Sequence, residues 1–153
     1  MRTNSHPGIV ALAVVAILVI GTVGTVISSN KAVPGDALYS VKKAVQGIQF
    51  ALAPNVVSRA NLALSTSQTD LDDIEKVAAG ETPNAVNIQT GVNQLVSHTQ
   101  TAASSISKVS TQPPAANLKR SLNSNVQQSV ATLQAPALRA PDSSSSIQTA
   151  ISQ

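Results

Sequence analysis

The sequence predicts an all-α protein: one transmembrane helix near the amino terminus, then a three- to four-helix antiparallel up-and-down array and a disordered tail. Three observations predict this fold class. A long uncharged apolar stretch begins at Ile9. Further along, apolar residues recur at steps of three and four, as they do on one face of a helix. No segment alternates apolar and polar residues convincingly, as a half-buried strand would.

The uncharged stretch runs from Ile9 to Ile27 and contains neither a side-chain amide nor a proline. As a helix it would be about 28 Å long, close to the ~30 Å hydrocarbon core of a bilayer. A helix on the surface of a soluble domain needs a polar face, and this stretch has none. We therefore predict a transmembrane helix over 9–27 after a cytoplasmic head over 1–8. The alternative is a cleaved signal peptide, for which Ile27-Ser28-Ser29 offers a poor cleavage pattern.

The sequence features that predict the orientation of this span point in opposite directions. Arg2 precedes it and Lys31, Lys42 and Lys43 follow it, so the count of basic residues slightly disfavours export of the carboxyl domain. The short head and the charge-poor region downstream, rich in Ser, Thr, Asn and Gln, favour export. We expect the carboxyl domain to lie on the extracytoplasmic side of the membrane.

Composition limits the remaining possibilities. Charged residues make up 11% of the 153-residue chain, against about 25% in ordinary soluble proteins. The net charge of +3 is scattered and Tyr39 and Phe50 are the only aromatic residues, which gives nucleic-acid binding little support. The chain has no cysteine, so disulfides, thiolate zinc sites and thiol catalysis are excluded. One small domain with a modest core is expected.

The first predicted helix follows a brief linker over 28–34 and opens the helical domain, which we place at 35–110. Asp36 can act as its N-cap, and Pro54 should end it because the residue before a proline avoids the helical region. The apolar stripe of this helix consists of Leu38, Val41, Val45, Ile48 and Leu52.

Two further helices complete the predicted domain. Asn55 can cap the second, which should end near Ala79 with Gly80 as its terminator. Thr82-Pro83 should open the third, with a capping hydroxyl followed by a proline in the first turn. The second stripe is Ala60, Leu64, Leu71, Ile74 and Ala78, with Ser67 in the gap; the third is Ile88, Val92, Leu95, Thr99, Ala102, Ile106 and Val109.

A weaker fourth helix is expected within 111–135, from about Ala115 to Leu133. Its apolar side would be Leu118, Leu122, Val126, Val130 and Leu133. The Pro- and Ser-rich segment 136–153 should be disordered. Because the connections are short, neighbouring helices should be antiparallel.

The stretch 34–43, Pro-Gly-Asp-Ala-Leu-Tyr-Ser-Val-Lys-Lys, resembles the opening of a bacterial family of membrane-anchored or exported proteins that is grouped as a domain of unknown function. Members open their helical domain with a motif like Pro-Gly-Asp-x-Leu-Tyr-Pro-Val-Lys-Arg. The resemblance continues through Leu52-Ala53-Pro54 and Arg59-Ala60 and covers 34–109. Ser40 replaces the usual proline, and Ser65-Thr66-Ser67-Gln68 replaces a region rich in Arg and Glu. The resemblance implies a link to envelope signalling, because some members resemble anti-sigma-type regulators.

Four residues of this motif are candidates for interaction. Leu38 and Tyr39 lie in the first turn, where they can pack against the end of a neighbouring helix. Lys42 and Lys43 can reach anionic headgroups, at about 1 kcal/mol each if close enough. The alternative, which we favour for the lysines, is that they lie on a solvated helix face.

The acidic cluster and His98 are the remaining candidates for a metal-binding or catalytic site. Asp70, Asp72, Asp73 and Glu75 lack the glycine and the final glutamate of a calcium loop. We expect a solvated face with an Asp72–Lys76 pair. His98 has no acid or second histidine at ligand spacing, so we expect a surface histidine. No serine lies in a nucleophile motif. We therefore expect no enzyme activity, no metal and no cofactor.

These observations favour a single-pass, membrane-anchored extracytoplasmic helical module of the bacterial envelope, with an interaction or structural role accessory to signalling. Its partners would be the lipid bilayer and a protein that the sequence does not identify. The alternative is an exported solute- or metal-binding protein that uses the acidic cluster or a pocket between helices.

Overall fold

The computed structural model describes residues 29–80, 83–111, 113–139 and 152, with side chains described only as far as Gln134 in the last helix. These ranges contain four helices and no strand, as the sequence predicts. They are α1 (Tyr39–Ala51), α2 (Val56–Ala79), α3 (Ala85–Lys108) and α4 (Ala115–Arg139). The apolar stretch 9–27 lies outside the described residues. Among the described helices, none combines the length and hydropathy needed to cross a membrane.

The contacts show that the helices run up and down. The second half of α2 packs against the first half of α3 in one apolar cluster, and their opposite ends meet in a second cluster. Leu118, near the start of α4, packs in the cluster at the start of α2, and Leu133 packs in the cluster at the end of α2. α4 therefore runs parallel to α2. Lys42 near the start of α1 reaches Asp73 near the end of α2. Each helix is therefore antiparallel to the one before it, which confirms the predicted arrangement.

The core lies between α2, α3 and α4 and is built from the predicted stripes of α2 and α3. All five stripe residues of α2 are buried, as is Ser67 in the gap. Six of the seven stripe residues of α3 are buried, and Thr99 is half-buried. Gly91 allows α2 and α3 to approach closely, because a Cβ on it would overlap the Ile74 side chain.

Asn55 starts α2 as predicted, since its side-chain oxygen accepts from the Ser58 N–H at 2.8 Å. α2 also ends at Ala79, although Gly80 has an extended backbone (φ −60°, ψ 161°) and not the left-handed one. The predicted start of α3 is wrong. Asn84 is its N-cap and accepts from the Asn87 N–H at 3.1 Å, while Thr82 lies outside the described residues.

Asp36 does not cap α1. That helix begins at Tyr39 without any side-chain cap. Gly35 adopts φ +103°, a conformation that glycine reaches at low cost, and makes a tight turn. The Asp36 carboxylate closes this turn by accepting from the Val33 N–H at 2.8 Å. The capping prediction is therefore wrong because the carboxylate is directed back along the chain.

The prediction that the apolar face of α1 belongs to the core is also wrong. None of its five stripe residues is buried, and Ile48 and Leu52 are 59% and 76% exposed. The helix instead buries Lys42 and Gln46. The physical reason is a polar contact that periodicity cannot show: Lys42 reaches a buried carboxylate on α2.

The inward face of α4 is only partly the predicted one. Leu118 and Leu133 are buried, but Val126 is 39% exposed and its neighbour Asn125 is buried. The Asn125 amide donates to the Leu64 carbonyl at 3.2 Å and to the Ser67 hydroxyl at 3.0 Å. α4 runs to Arg139, so 136–139 is helical, and 140–151 lies outside the described residues.

The predicted linker is part of the folded body where the structure describes it. Ser29, Ala32 and Pro34 are all buried. Val33 packs against the apolar cluster of α2 and α3, and the Ala32 carbonyl accepts from the Lys42 ammonium at 3.0 Å. The chain is thus attached to the helical body well before α1 begins.

Candidate functional site

A buried ion pair joins α1 to α2. The Lys42 Nζ lies 2.5 Å from the Asp73 Oδ2, and the two residues are 3% and 1% exposed. Lys42 also donates to the Ala32 carbonyl, so one ammonium group connects the amino-terminal segment, α1 and α2. Burial raises the pKa of Asp73, although the hydrogen bond and charge of Lys42 act in the opposite direction. Since unpaired buried charges are costly, each partner depends on the other.

A second acid of α2 holds the histidine of α3. The His98 Nδ1 lies 2.5 Å from the Asp70 Oδ2, and the two residues are 8% and 2% exposed. A carboxylate only accepts hydrogen bonds, so Nδ1 carries the proton and Nε2 is directed away from Asp70. The Phe50 ring of α1 stacks on the imidazole, with centroids 5.4 Å apart and planes 10° apart. The imidazole orientation is therefore determined on two sides.

Two more residues of α1 are close to these acids. The Lys43 ammonium donates to the Gln94 side-chain oxygen of α3, and partial burial lowers its pKa against the opposing effect of Asp70. Burial also raises the pKa of the Tyr39 hydroxyl, with Asp70 and Asp73 adding to the effect. The inner face of α1 thus meets α2 and α3 through polar groups, all but one of them ionisable. We call this layer the polar seam: Tyr39, Lys42 and Lys43 of α1 opposite Asp70, Asp73, Gln94 and His98.

Two depressions border the polar seam. The larger has a volume of about 420 Å³ and is lined by Phe50, Ala51, Arg59, Ser97, His98 and Thr101. The smaller, of about 220 Å³, lies between α1 and α2 and is lined mostly by amide and hydroxyl side chains. Gln46 lines it, and the buried side-chain oxygen of Gln46 has no hydrogen-bond partner among the described residues.

The acidic cluster of α2 is not the solvated face that was predicted. Asp72 and Glu75 are exposed, but Asp70 and Asp73 are buried partners of His98 and Lys42. Lys76 approaches Asp73, at 3.9 Å, in place of Asp72. Across the described ranges, no three His, Cys, Asp or Glu side chains converge as metal ligands would. The physical reason for the correction is that α1 and α3 supply cations and an imidazole from distant positions.

The predictions for His98 and the lysines are corrected in the same way. His98 is not a surface histidine, because Phe50 and Asp70 enclose it. Lys42 is not solvated, and its ammonium is already bound within the domain. Lys43 is half-buried and bonded to Gln94. The prediction that both lysines lie on a solvated helix face is therefore wrong.

Leu38 and Tyr39 are both half-buried. Leu38 immediately precedes α1 and Tyr39 is its first residue. Whether they contact a partner stays a prediction. The structure therefore brings Tyr39, Lys42 and Lys43 together with the acids of α2, and leaves Leu38 at the margin of this group.

Sequence reasoning missed Asp70, Asp73 and His98 as a set, although a signal was present. His98 lies three residues after Leu95 and four before Ala102, so it fits the buried stripe of α3 as well as Thr99 does. Asp70 and Asp73 continue the spacing of Ser67 on α2 in the same way. Polar residues at core spacing are informative because they are buried only with partners.

Comparison with known proteins identifies a family. A family model described as "Domain of unknown function (DUF5667)" matches residues 31–142. The match begins after the apolar stretch 9–27 and extends beyond the 34–109 that the motif resemblance covers. No curated protein sequence and no solved structure matches the chain.

Proposed function

The chain belongs to the DUF5667 family of domains of unknown function, and we propose that it is a single-pass, membrane-anchored extracytoplasmic interaction module of the bacterial envelope, accessory to signalling. The observation that carries this proposal is the outward apolar face of α1. The helix has an amphipathic sequence, yet its polar face is directed inward and Ile48 and Leu52 are directed to solvent. A face of this kind is suited to a partner.

The chemistry of α1 favours a protein partner over the lipid surface. Helices that lie on membranes carry Lys and Arg beside their apolar face. In α1 both lysines are bonded within the domain, Lys42 to Asp73 and Lys43 to Gln94. Ile48 and Leu52 lie four residues apart, the spacing with which an amphipathic helix enters an apolar groove. We therefore assign this face to a protein with an apolar groove.

The anchor is supported by sequence alone, since 9–27 lies outside the described residues. Its length matches a bilayer core and it has no charge. The structure adds that Ala32 and Pro34 are buried in the body. With an anchor ending near Ile27, the helical body would be held directly at the membrane surface, which would favour a partner in the same membrane.

Membrane anchoring and orientation are tested on the full chain with a carboxyl-terminal tag. We expect protease added to intact cells to remove the tag, and alkaline washing to leave the chain in the membrane pellet. Release of the full-length chain, still bearing its first residues, by alkaline washing would overturn the anchor. A tag that is protected until the cells are opened would overturn the orientation.

The partner face is tested by placing a photoreactive side chain at Leu52 in cells. The matched control is Gln127, which is exposed on α4. We expect a discrete adduct from Leu52 that is absent from Gln127. Adducts of the same pattern from both positions, or none from Leu52, would contradict a partner on this face.

A further inference from the structure

The larger depression is built at a junction of three helices. Phe50 and Ala51 end α1, Arg59 lies in the first turns of α2, and Ser97, His98 and Thr101 come from the middle of α3. Its volume of about 420 Å³ falls within the range of small-molecule sites, roughly 300–1,000 Å³. It therefore combines an apolar wall, a guanidinium group, hydroxyl groups and an imidazole within one small space.

Two contacts fix the orientation of the His98 imidazole at the edge of the depression. Its Nδ1 donates to the buried Asp70 carboxylate and its ring is stacked on Phe50. His98 also lines the depression, and Nδ1 is the ring nitrogen that contacts Asp70. A carboxylate that accepts from one ring nitrogen of a histidine fixes the orientation and the tautomer of the ring. The position of the second nitrogen, Nε2, is thus fixed by the Asp70 contact and by the Phe50 stacking.

The charges around this nitrogen select the ligand. Arg59 is a lining residue of the depression, and its guanidinium donates to the Phe50 carbonyl at 3.3 Å. Because the Nδ1–H of His98 is donated to Asp70, the ring donates from Nε2 as well only when it is protonated. An anion in the depression would have two groups of opposite charge in the lining, the Arg59 guanidinium and a protonated His98 ring. Lys43 of α1, which is close enough to Asp70 to be affected by its charge, adds positive charge. Of the part of α4 whose side chains are described, no residue lines the depression.

We propose that this depression binds the carboxylate of a small organic acid, and that the binding is accompanied by proton uptake at His98. Arg59 would hold the carboxylate oxygens through its planar guanidinium, and the Nε2–H of His98 would donate to one of them. The Phe50 ring and the Ala51 methyl group contact the apolar part of the acid, which favours an organic acid over inorganic phosphate. This site is separate from the outward face of α1 and does not depend on the proposed partner.

The test is a titration of the full chain in detergent micelles at neutral pH, followed by the imidazole C–H signals in NMR. Benzoate is the probe, benzamide is its uncharged counterpart, and inorganic phosphate is the anion without an apolar body. The chain has two histidines, so His6 provides a second signal in the same sample, assigned by His6→Ala. We expect benzoate, with a Kd of the order of 1 mM, to move the His98 signals saturably towards imidazolium while His6 stays unchanged.

Two exposed arginines provide matched variants. Arg59→Gln should weaken benzoate binding about tenfold or more, whereas Arg120→Gln, which changes the net charge equally on α4, should leave binding unchanged. Arg59→Lys should bind with intermediate affinity, because it keeps the charge without the planar pair of donors. The proposal is overturned if benzamide moves the signals as benzoate does, if phosphate binds as tightly as benzoate, if no saturable shift occurs, or if both arginine variants behave alike.

Discussion

The α2–α3 hairpin and α1 are held in the same domain by different forces. The hairpin buries Leu71, Ile74, Ile88 and Val92 almost completely, and its contacts are the most extensive in the described part of the chain. By contrast, α1 makes few backbone contacts with α2 and is attached through the polar seam. Its large aliphatic residues Ile48 and Leu52 stay exposed.

The difference has physical consequences. Apolar burial is non-directional and insensitive to protonation, so the contribution of the two apolar clusters of the hairpin should change little over a broad pH range. An ion pair such as Lys42–Asp73 requires a defined geometry and two charged partners. The docking of α1 should therefore depend on single residues and on pH, while the apolar clusters of the hairpin should respond mainly to changes in side-chain volume.

The largest effect is expected when Lys42 loses its charge. Lys42→Met leaves the buried Asp73 carboxylate without its cation, and we expect the free energy of unfolding to fall by about 3–5 kcal/mol. Undocking of α1 would limit this loss, because it returns Asp73 to water. Urea unfolding measures the change, and hydrogen exchange should show the lost protection mainly within Tyr39–Ala51. Lys119→Met, at an exposed position of α4, should change stability by less than about 0.5 kcal/mol.

The same variant has a defined pH dependence. Burial already raises the pKa of Asp73 above its ordinary value of 3.8, and the loss of Lys42 removes the effects that oppose this rise. A native state that binds a proton more tightly than the unfolded state loses stability as pH rises through the interval between the two pKa values. The Lys42→Met defect should therefore shrink as the pH is lowered through the raised pKa of Asp73. A defect independent of pH would contradict an unpaired carboxylate as its cause.

The hairpin should be most sensitive to a cavity. Ile74 is fully buried, and Ile74→Ala should lower the free energy of unfolding by about 2–5 kcal/mol with little dependence on pH. Denaturant unfolding at two pH values measures both quantities. If the loss of stability in Ile74→Ala depended strongly on pH, the hairpin and α1 would no longer differ in how they respond to pH.

A smaller effect is expected at the start of α2. Asn55 caps the first turn by accepting from the Ser58 N–H, so Asn55→Ala should cost about 1 kcal/mol. Asn55→Gly should recover most of this loss, because glycine is nearly as good at that position. Asn55→Asp keeps an acceptor oxygen at this position and should lose little stability. A loss as large as that of Asn55→Ala, read from thermal unfolding, would show that the side-chain cap is not the cause.

The smallest effect is expected on the outer face of α1. Leu52 is 76% exposed, so Leu52→Ser should change the free energy of unfolding by no more than about 0.5 kcal/mol. Denaturant unfolding of the purified chain measures this. A loss of 2 kcal/mol or more, the size expected for a buried Leu, would mean that Leu52 is covered by another part of the chain, and the outward face would have to be abandoned.

The success of sequence reasoning differed between these regions for a physical reason. In α2 and α3 the apolar positions recur with the helical period, and burial follows the same period because it depends on side-chain hydrophobicity. In α4 a single amide, Asn125, displaced Val126 from the inner face because the Leu64 carbonyl and the Ser67 hydroxyl accept from it. The predicted role of Asp36 was wrong because a carboxylate accepts from a backbone N–H in a helix cap and in a turn alike, and here it accepts from Val33 in the turn.

The sequence by itself determined that the described ranges form helices, where α2 begins, and which faces of α2 and α3 meet, because those properties depend on local spacing and hydrophobicity. The tertiary structure alone decided which face of α1 is directed inward and what Asp70, Asp73 and His98 do. Lys42 and Asp73 are separated by 31 positions and His98 and Asp70 by 28. Only the packed helices bring such groups within hydrogen-bond distance, and no local pattern carries that information.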